Sequence, residues 1–186
     1  MIRFEHVTFG YALQRPVLRD FSMTVPKGGR VCLTGLSGEG KTTALRLLLG
    51  LEKPRKGTVS VPEGVRFSAV FQENRLLPWK TVLENAALFS DEESARRILT
   101  TLGLGDNLDA LPETLSGGMK RRAALGRALA HPFDVLVLDE ALTGLDGETK
   151  RRCLAAIDEA VGRRTLVLAT HDAGEARALG AETVTL

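Results

Sequence analysis

The chain has 186 residues, 44% hydrophobic and 26% charged, with a formal net charge of +2. That is enough for one domain with its own hydrophobic core, and the small charge excess gives no ground for nucleic-acid or membrane-surface binding. No segment reaches the roughly 18 uninterrupted apolar residues of a bilayer span, and Glu5 and His6 break the opening residues, which do not read as a signal peptide. The expectation is a cytosolic chain, with any membrane role supplied by a separate partner. Cys32 and Cys153 form neither a metal-spaced nor a redox-spaced pair, and Cys32, inside an apolar run, reads as a small core residue.

Strands are expected over 2–9 and 17–25, where β-branched and aromatic residues mix with polar ones between Gly10, Pro16 and the turn at Pro26 to Gly29. Residues 30–34 (RVCLT) form a short apolar strand of the kind buried in a parallel sheet. A glycine-rich loop follows, then a helix over 41–49 that Gly50 ends. Residues 58–61 and 65–71 read as a strand pair turned at Pro62-Glu63-Gly64. Thr81 with Glu84, and Ser90 with Glu93, have the spacing of a capping box at a helix start. A further helix is expected over 116–130, ended by His131-Pro132. The chain then returns to a buried strand at 135–138, a helix at 148–161, a buried strand at 165–169, a helix begun by Asp172 and Glu175, and an edge strand at 182–186. This order implies an α/β core interrupted by a helical insertion.

Gly35-Leu36-Ser37-Gly38-Glu39-Gly40-Lys41-Thr42 matches G-x-x-x-x-G-K-[ST] in full, and Thr43 follows it. Glycines let successive backbone N–H groups turn inward without Cβ clashes, and a helix N-terminus adds positive potential, which suits a triphosphate. Lys41 is placed to reach the β- and γ-phosphates, and the Thr42 hydroxyl to ligate Mg²⁺. The strand Val135-Leu-Val-Leu ends in Asp139 and Glu140. A buried strand delivering carboxylates at its C-terminal end suits a metal beside a phosphate loop, with Asp139 holding Mg²⁺ and Glu140 orienting the attacking water. On its own that strand end reads equally as an acidic turn or helix cap.

Leu115-Ser116-Gly117-Gly118-Met119 makes the reading specific. With the two motifs above, the chain resembles the ATP-binding-cassette (ABC) ATPase family along essentially its whole length; Met119 stands where that family commonly has glutamine. Ser116 is placed to cap a helix, and the two glycines allow close backbone approach to a ligand. The resemblance implies that this helix start meets the γ-phosphate of an ATP held by a second subunit. It also implies roles for weaker features. Tyr11 would stack on adenine, or is a surface tyrosine at a strand end. Gln72 would sense Mg²⁺ and link the site to a partner, or is a solvated loop residue. His171 would contact the γ-phosphate as a switch. Asp146, after Leu145, would signal across the dimer, or is an N-cap. Ala141 departs from the family's common proline.

Residues 75–79, Arg75-Leu-Leu-Pro-Trp79, put apolar and aromatic groups directly after Gln72. They read as a docking surface for a partner helix, or as a staple packing the helical insertion on the core. The run from Gln72 to Asn85 looks like that of importers of the nitrate, sulfonate, taurine and pyrimidine-precursor group.

The fold class expected is therefore α/β: a P-loop NTPase core of mixed sheet flanked by helices, with an N-terminal antiparallel β subdomain and an inserted α-helical subdomain. One ABC ATPase domain would span 1–186, with 1–72 and 133–186 as nucleotide-binding core and 73–132 as helical signature subdomain. The function implied is an ATPase subunit that uses ATP and Mg²⁺, pairs as a homodimer or with a paralogue, and lies on the inner face of the cell membrane. It would drive a separate permease, and with it a substrate-binding protein, for import of a small solute. The alternative is a non-transport ABC ATPase of DNA repair, translation or cluster assembly. The short stretch between Gln72 and Ser116, without heptads or cysteine pairs, and the single cassette argue against it.

Overall fold

A computed structural model describes residues 1–12, 15–36 and 38–186. The chain divides into two compact units: unit 1 is 1–67, 134–139 and 163–186, and unit 2 is 68–133 and 140–162.

Unit 1 opens with β1 (Ile2–Phe9) and β2 (Leu18–Val25), paired antiparallel, and β4 (Lys56–Ser60) pairs antiparallel with the other edge of β1. The strand order is β2-β1-β4. Burial alternates on either side of a bulge in β1: Ile2 and Phe4 are buried before the register shift between Phe4 and Val7, and Val7 and Phe9 after it, leaving one covered face. The second sheet has the order β5-β6-β7-β3-β8, built on β3 (Arg30–Thr34), β5 (Phe67–Val70), β6 (Val135–Asp139), β7 (Thr165–Ala169) and β8 (Glu182–Thr185). The pairs β3–β7, β3–β8 and β6–β7 are parallel. Every residue of β6 and β7 is buried, so these strands are apolar throughout rather than alternating. Helix α1 (Lys41–Leu48) packs on β6 and β7 and buries Ala44, Leu45, Leu47 and Leu48, and α6 (Ala173–Ala178) follows β7. Cys32 is fully buried, as its apolar run requires.

The expected strand pair 58–61 and 65–71 does not form. Its first member begins earlier and joins β1, while the second shortens to β5 and belongs to the other sheet. A distant carboxylate meets the start of β5. Asp134 accepts from the Arg66 backbone N–H at 3.0 Å and from its guanidinium at 3.1 and 3.2 Å, which fixes the chain at the start of β5. The Arg66 guanidinium and then its N–H hold the Asp134 carboxyl down to about 2. A depressed carboxylate stabilises the fold above its unfolded pKa of about 3.9, and that contribution fades as pH falls toward 2. Asp134→Asn should therefore lower the thermal midpoint at pH 7, with the gap to wild type closing toward pH 2. A gap of equal size at both pH values would assign the effect to packing instead.

Unit 2 is helical: α2 (Val82–Ala86), α3 (Glu92–Thr101), α4 (Gly117–Ala130) and α5 (Gly147–Val161). Val82, Leu83, Leu99, Leu104, Leu108 and Leu115 form its apolar cluster. A Cβ on Gly126 would sit 2.7 Å from Leu99 Cδ2, so glycine sets how closely α4 approaches α3. The capping box of Thr81 and Glu84 is present, with reciprocal bonds of 2.8 and 3.1 Å. The one expected at Ser90 is absent. Asp91 caps α3 through Ser94 N–H at 2.7 Å, and the Ser90 hydroxyl donates to the Ala86 carbonyl. A carboxylate makes the stronger, charge-assisted cap where both residues compete. Among the described residues no helix is long and apolar enough to cross a membrane.

Candidate nucleotide site

The parallel sheet of unit 1 sets the site's geometry. Leu33 pairs with Ala169, and Ala169 with Asp139, so the C-terminal ends of β3, β7 and β6 lie in one row. At strand spacings of about 4.8 Å, Leu33 and Asp139 lie about 10 Å apart. Two residues beyond Leu33 the phosphate loop begins at Gly35. Two residues beyond Ala169 stands His171, which is exposed. Loop, carboxylate and histidine thus converge on one edge of unit 1, where open α/β sheets collect ligands.

Within the loop, Gly35, Gly38 and Gly40 have φ of 147°, 88° and 107°, a region that side-chain-bearing residues rarely adopt. Ser37 lies outside the described residues. Gly40 stands at the N-terminus of α1, and Ala44 N–H donates to its carbonyl at 2.8 Å. Lys41 is 9% exposed and folds back, its Nζ donating to the Gly35 carbonyl at 2.8 Å and the Leu36 carbonyl at 3.0 Å. The Glu39 carboxylate accepts from the Leu36 backbone N–H. One loop donor is therefore already held by an anion of the chain itself, a contact the motif pattern does not disclose. Thr42 is exposed and Thr43 is buried at the start of α1. Asp139 is 1% exposed. One buried carboxylate and one hydroxyl are hard oxygen donors, which suits Mg²⁺ completed by water and phosphate oxygens. Tyr11 is 60% exposed, and its ring meets Phe9 edge-on with centroids 5.2 Å apart.

The remaining expected residues belong to unit 2. Glu140 follows β6 with φ 50°, a left-handed conformation for a residue with a Cβ. Its carboxylate accepts from the Thr143 hydroxyl at 3.0 Å, and its carbonyl accepts from Arg121 at 2.7 Å. Strained backbone of this kind persists where surrounding bonds over-determine it. Gln72 is exposed on the loop after β5. Ser116 is the N-cap of α4, its hydroxyl accepting from Met119 N–H at 3.2 Å, with Gly117 and Gly118 as the first helical residues. Met119 packs against the apolar cluster of unit 2. The thioether at this position thus contributes to the core of its own unit. Asp146 caps α5. The Thr149 N–H, then that of Glu148, holds its carboxyl below the usual range.

Trp79 is 71% exposed, while Leu76 packs partly on the apolar cluster. Leu76 thus packs within unit 2 itself, and Trp79 is the exposed aromatic group of residues 75–79. Asn85, fully buried, pins that loop: its amide accepts from Leu77 N–H at 2.8 Å and donates to the carbonyls of Leu77, Lys80 and Thr81.

A glycine loop between a buried strand and a helix, with a carboxylate two strands away, defines a P-loop nucleotide triphosphatase. The family model for the ABC transporter matches residues 18–143. The aliphatic sulfonates import ATP-binding protein SsuB 1 of Paracoccus denitrificans (strain Pd 1222) is 43% identical over 170 residues, covering 87% of this chain and 69% of that protein. The dimeric structure of MJ0796, a bacterial ABC transporter cassette, matches with a TM-score of 0.89 at 26% identity, covering 100% of this chain and 94% of that one. The dimeric post-hydrolysis state of that ATP-binding cassette, bound to ADP and Pi, matches with the same TM-score. The chain belongs to the ABC transporter family, as its ATP-binding and ATP-hydrolysing subunit.

Proposed function

We propose that the chain pairs with a second copy or a paralogue around two ATP molecules and that this closure powers import of a small solute through a separate permease. The observation that carries the reading is the row of strand ends, which sets the loop after β3 and Asp139 on one edge of the sheet. Residues 1–72 and 133–186 serve as nucleotide-binding core and 73–132 as helical signature subdomain, within one ABC ATPase domain.

The backbone of Gly35, Leu36, Ser37, Gly38, Glu39 and Gly40 cradles the phosphates, with Thr43 at the helix start. Lys41 turns from its loop carbonyls to the β- and γ-phosphates. Tyr11 stacks on adenine. Thr42, Asp139 and Gln72 would hold Mg²⁺, which would neutralise charge on the phosphate oxygens. Glu140 orients and polarises a water for in-line attack on the γ-phosphorus, and His171 contacts the γ-phosphate. The Thr143 hydroxyl, which fixes the Glu140 carboxylate, supports that role. Ser116, Gly117, Gly118 and Met119 complete the partner's site, and Asp146 lies in the loop that signals across the pair.

Trp79, exposed on a loop pinned by Asn85, supports docking of a permease helix near Arg75 and Trp79. The chain would then act at the cytoplasmic face of the membrane, with a substrate-binding protein in the same system. The SsuB relative, named for aliphatic sulfonate import, supports small organic sulfonates as the transported class.

Two measurements test this reading. Wild-type chain should release phosphate from Mg-ATP and stop when EDTA removes the metal; absence of release from the chain assembled with its permease would refute it. Ser116→Arg should retain ATP binding by calorimetry, because Ser116 serves the opposite site. It should lose at least about ten-fold in turnover, since a buried interface does not accept an unpaired charge. Undiminished turnover would contradict the shared site.

A further inference from the structure

We infer that Arg121 is a positioning residue that ties the Gln72 loop to Glu140. The inference rests on the function proposed above. Arg121 lies in the second turn of α4, the helix that Ser116 caps. One guanidinium nitrogen donates to the Glu140 carbonyl at 2.7 Å, and the other donates to the Gln72 carbonyl at 3.4 Å. A single rigid fork therefore spans two segments far apart in sequence.

What it holds matters on both sides. The left-handed Glu140 backbone sets where its carboxylate points, and its carbonyl accepts only weakly from Thr143 N–H, at 3.3 Å. Arg121 provides the shorter, charge-assisted bond. On the other side, the loop after Gln72 rests on α4 a second time. Arg127 donates to the Arg75 carbonyl at 2.8 Å and the Asn74 carbonyl at 3.3 Å. Arg127 grips the loop alone, whereas Arg121 grips the loop and Glu140 together. A shift of the loop is thus transmitted through the Arg121 fork to the backbone of the residue that orients water. Lysine cannot reproduce this, because an ammonium lacks the planar pair of donors that spans both carbonyls.

The test compares Arg121→Ala and Arg121→Lys with wild type in the full chain, reading phosphate release against ATP concentration and thermal midpoint. Arg121→Ala should lower kcat about ten-fold while KM for ATP moves less than about two-fold and the midpoint holds, as for loss of one charge-assisted bond acting on the reacting step. Arg121→Lys should fall between the two. An unchanged kcat in Arg121→Ala overturns the inference. So does a fall of kcat, KM and midpoint together, equal in both variants, which marks a packing role. Glu140→Gln, run alongside, separates the two levels. Turnover lost in Glu140→Gln and intact in Arg121→Ala overturns the tether alone. Turnover intact in Glu140→Gln overturns the function on which it rests.

Discussion

Glu140→Gln is expected to bind Mg-ATP with near wild-type affinity and to lose about 10²–10⁴ in turnover, the range for removing a positioned general base. The substitution keeps shape: the amide oxygen still accepts from the Thr143 hydroxyl, and the backbone still offers its carbonyl to Arg121. Only the negative charge and the ability to polarise water are removed. Calorimetric binding of ATP together with a phosphate-release assay separates the two quantities. Retained turnover would move the water-orienting role to another group, and lost binding would give Glu140 a structural role.

Lys41→Ala should act on a different quantity. The ammonium is nearly buried, and two of its three donors engage the carbonyls of Gly35 and Leu36. Removal deprives the loop of its one side-chain cation and frees both carbonyls to face an incoming triphosphate. Both changes disfavour an anion. Turnover should fall about 10²–10³, as for loss of one preorganised donor to developing charge, and ATP affinity should fall with it. Glu39 sharpens the expectation, because its carboxylate already occupies the Leu36 N–H. Without Lys41 the loop would carry only negative side-chain charge. Retention of both affinity and turnover in Lys41→Ala would refute the phosphate-loop assignment.

The parts of this molecule that a reader could find in the chain are those whose physics is local. The phosphate loop is eight contiguous residues whose glycines answer a backbone need, and its glycines do adopt left-handed φ. Ser116 and Asp146 are caps, and caps are decided within three residues. Long-range choices were hidden. Pro62-Glu63-Gly64 has the chemistry of a hairpin turn, yet β4 pairs with β1 and β5 joins the other sheet, where Arg66 donates to Asp134, 68 positions away. Ser90 and Asp91 are adjacent and both cap-capable, so the chain offers two starts for α3 one residue apart. Lys120, Arg121 and Arg122 are adjacent basic residues, and the partners of the two arginines lie far off in sequence. Helix phase sends Arg121 to Glu140 and Gln72, and Arg122 to the carbonyls of Leu102 and Gly103. Met119 stands where the family commonly has glutamine, and its side chain packs against the apolar cluster of unit 2.

The central claim is that the loop at Gly35 is half of a site completed by another subunit's Ser116. Light scattering on Glu140→Gln, which should hold ATP without consuming it, tests that most directly. Addition of Mg-ATP should double the scattering mass from monomer to dimer, and adding Ser116→Arg to the same chain should abolish the doubling. A Glu140→Gln chain that binds ATP by calorimetry yet remains monomeric at saturating Mg-ATP would contradict the claim.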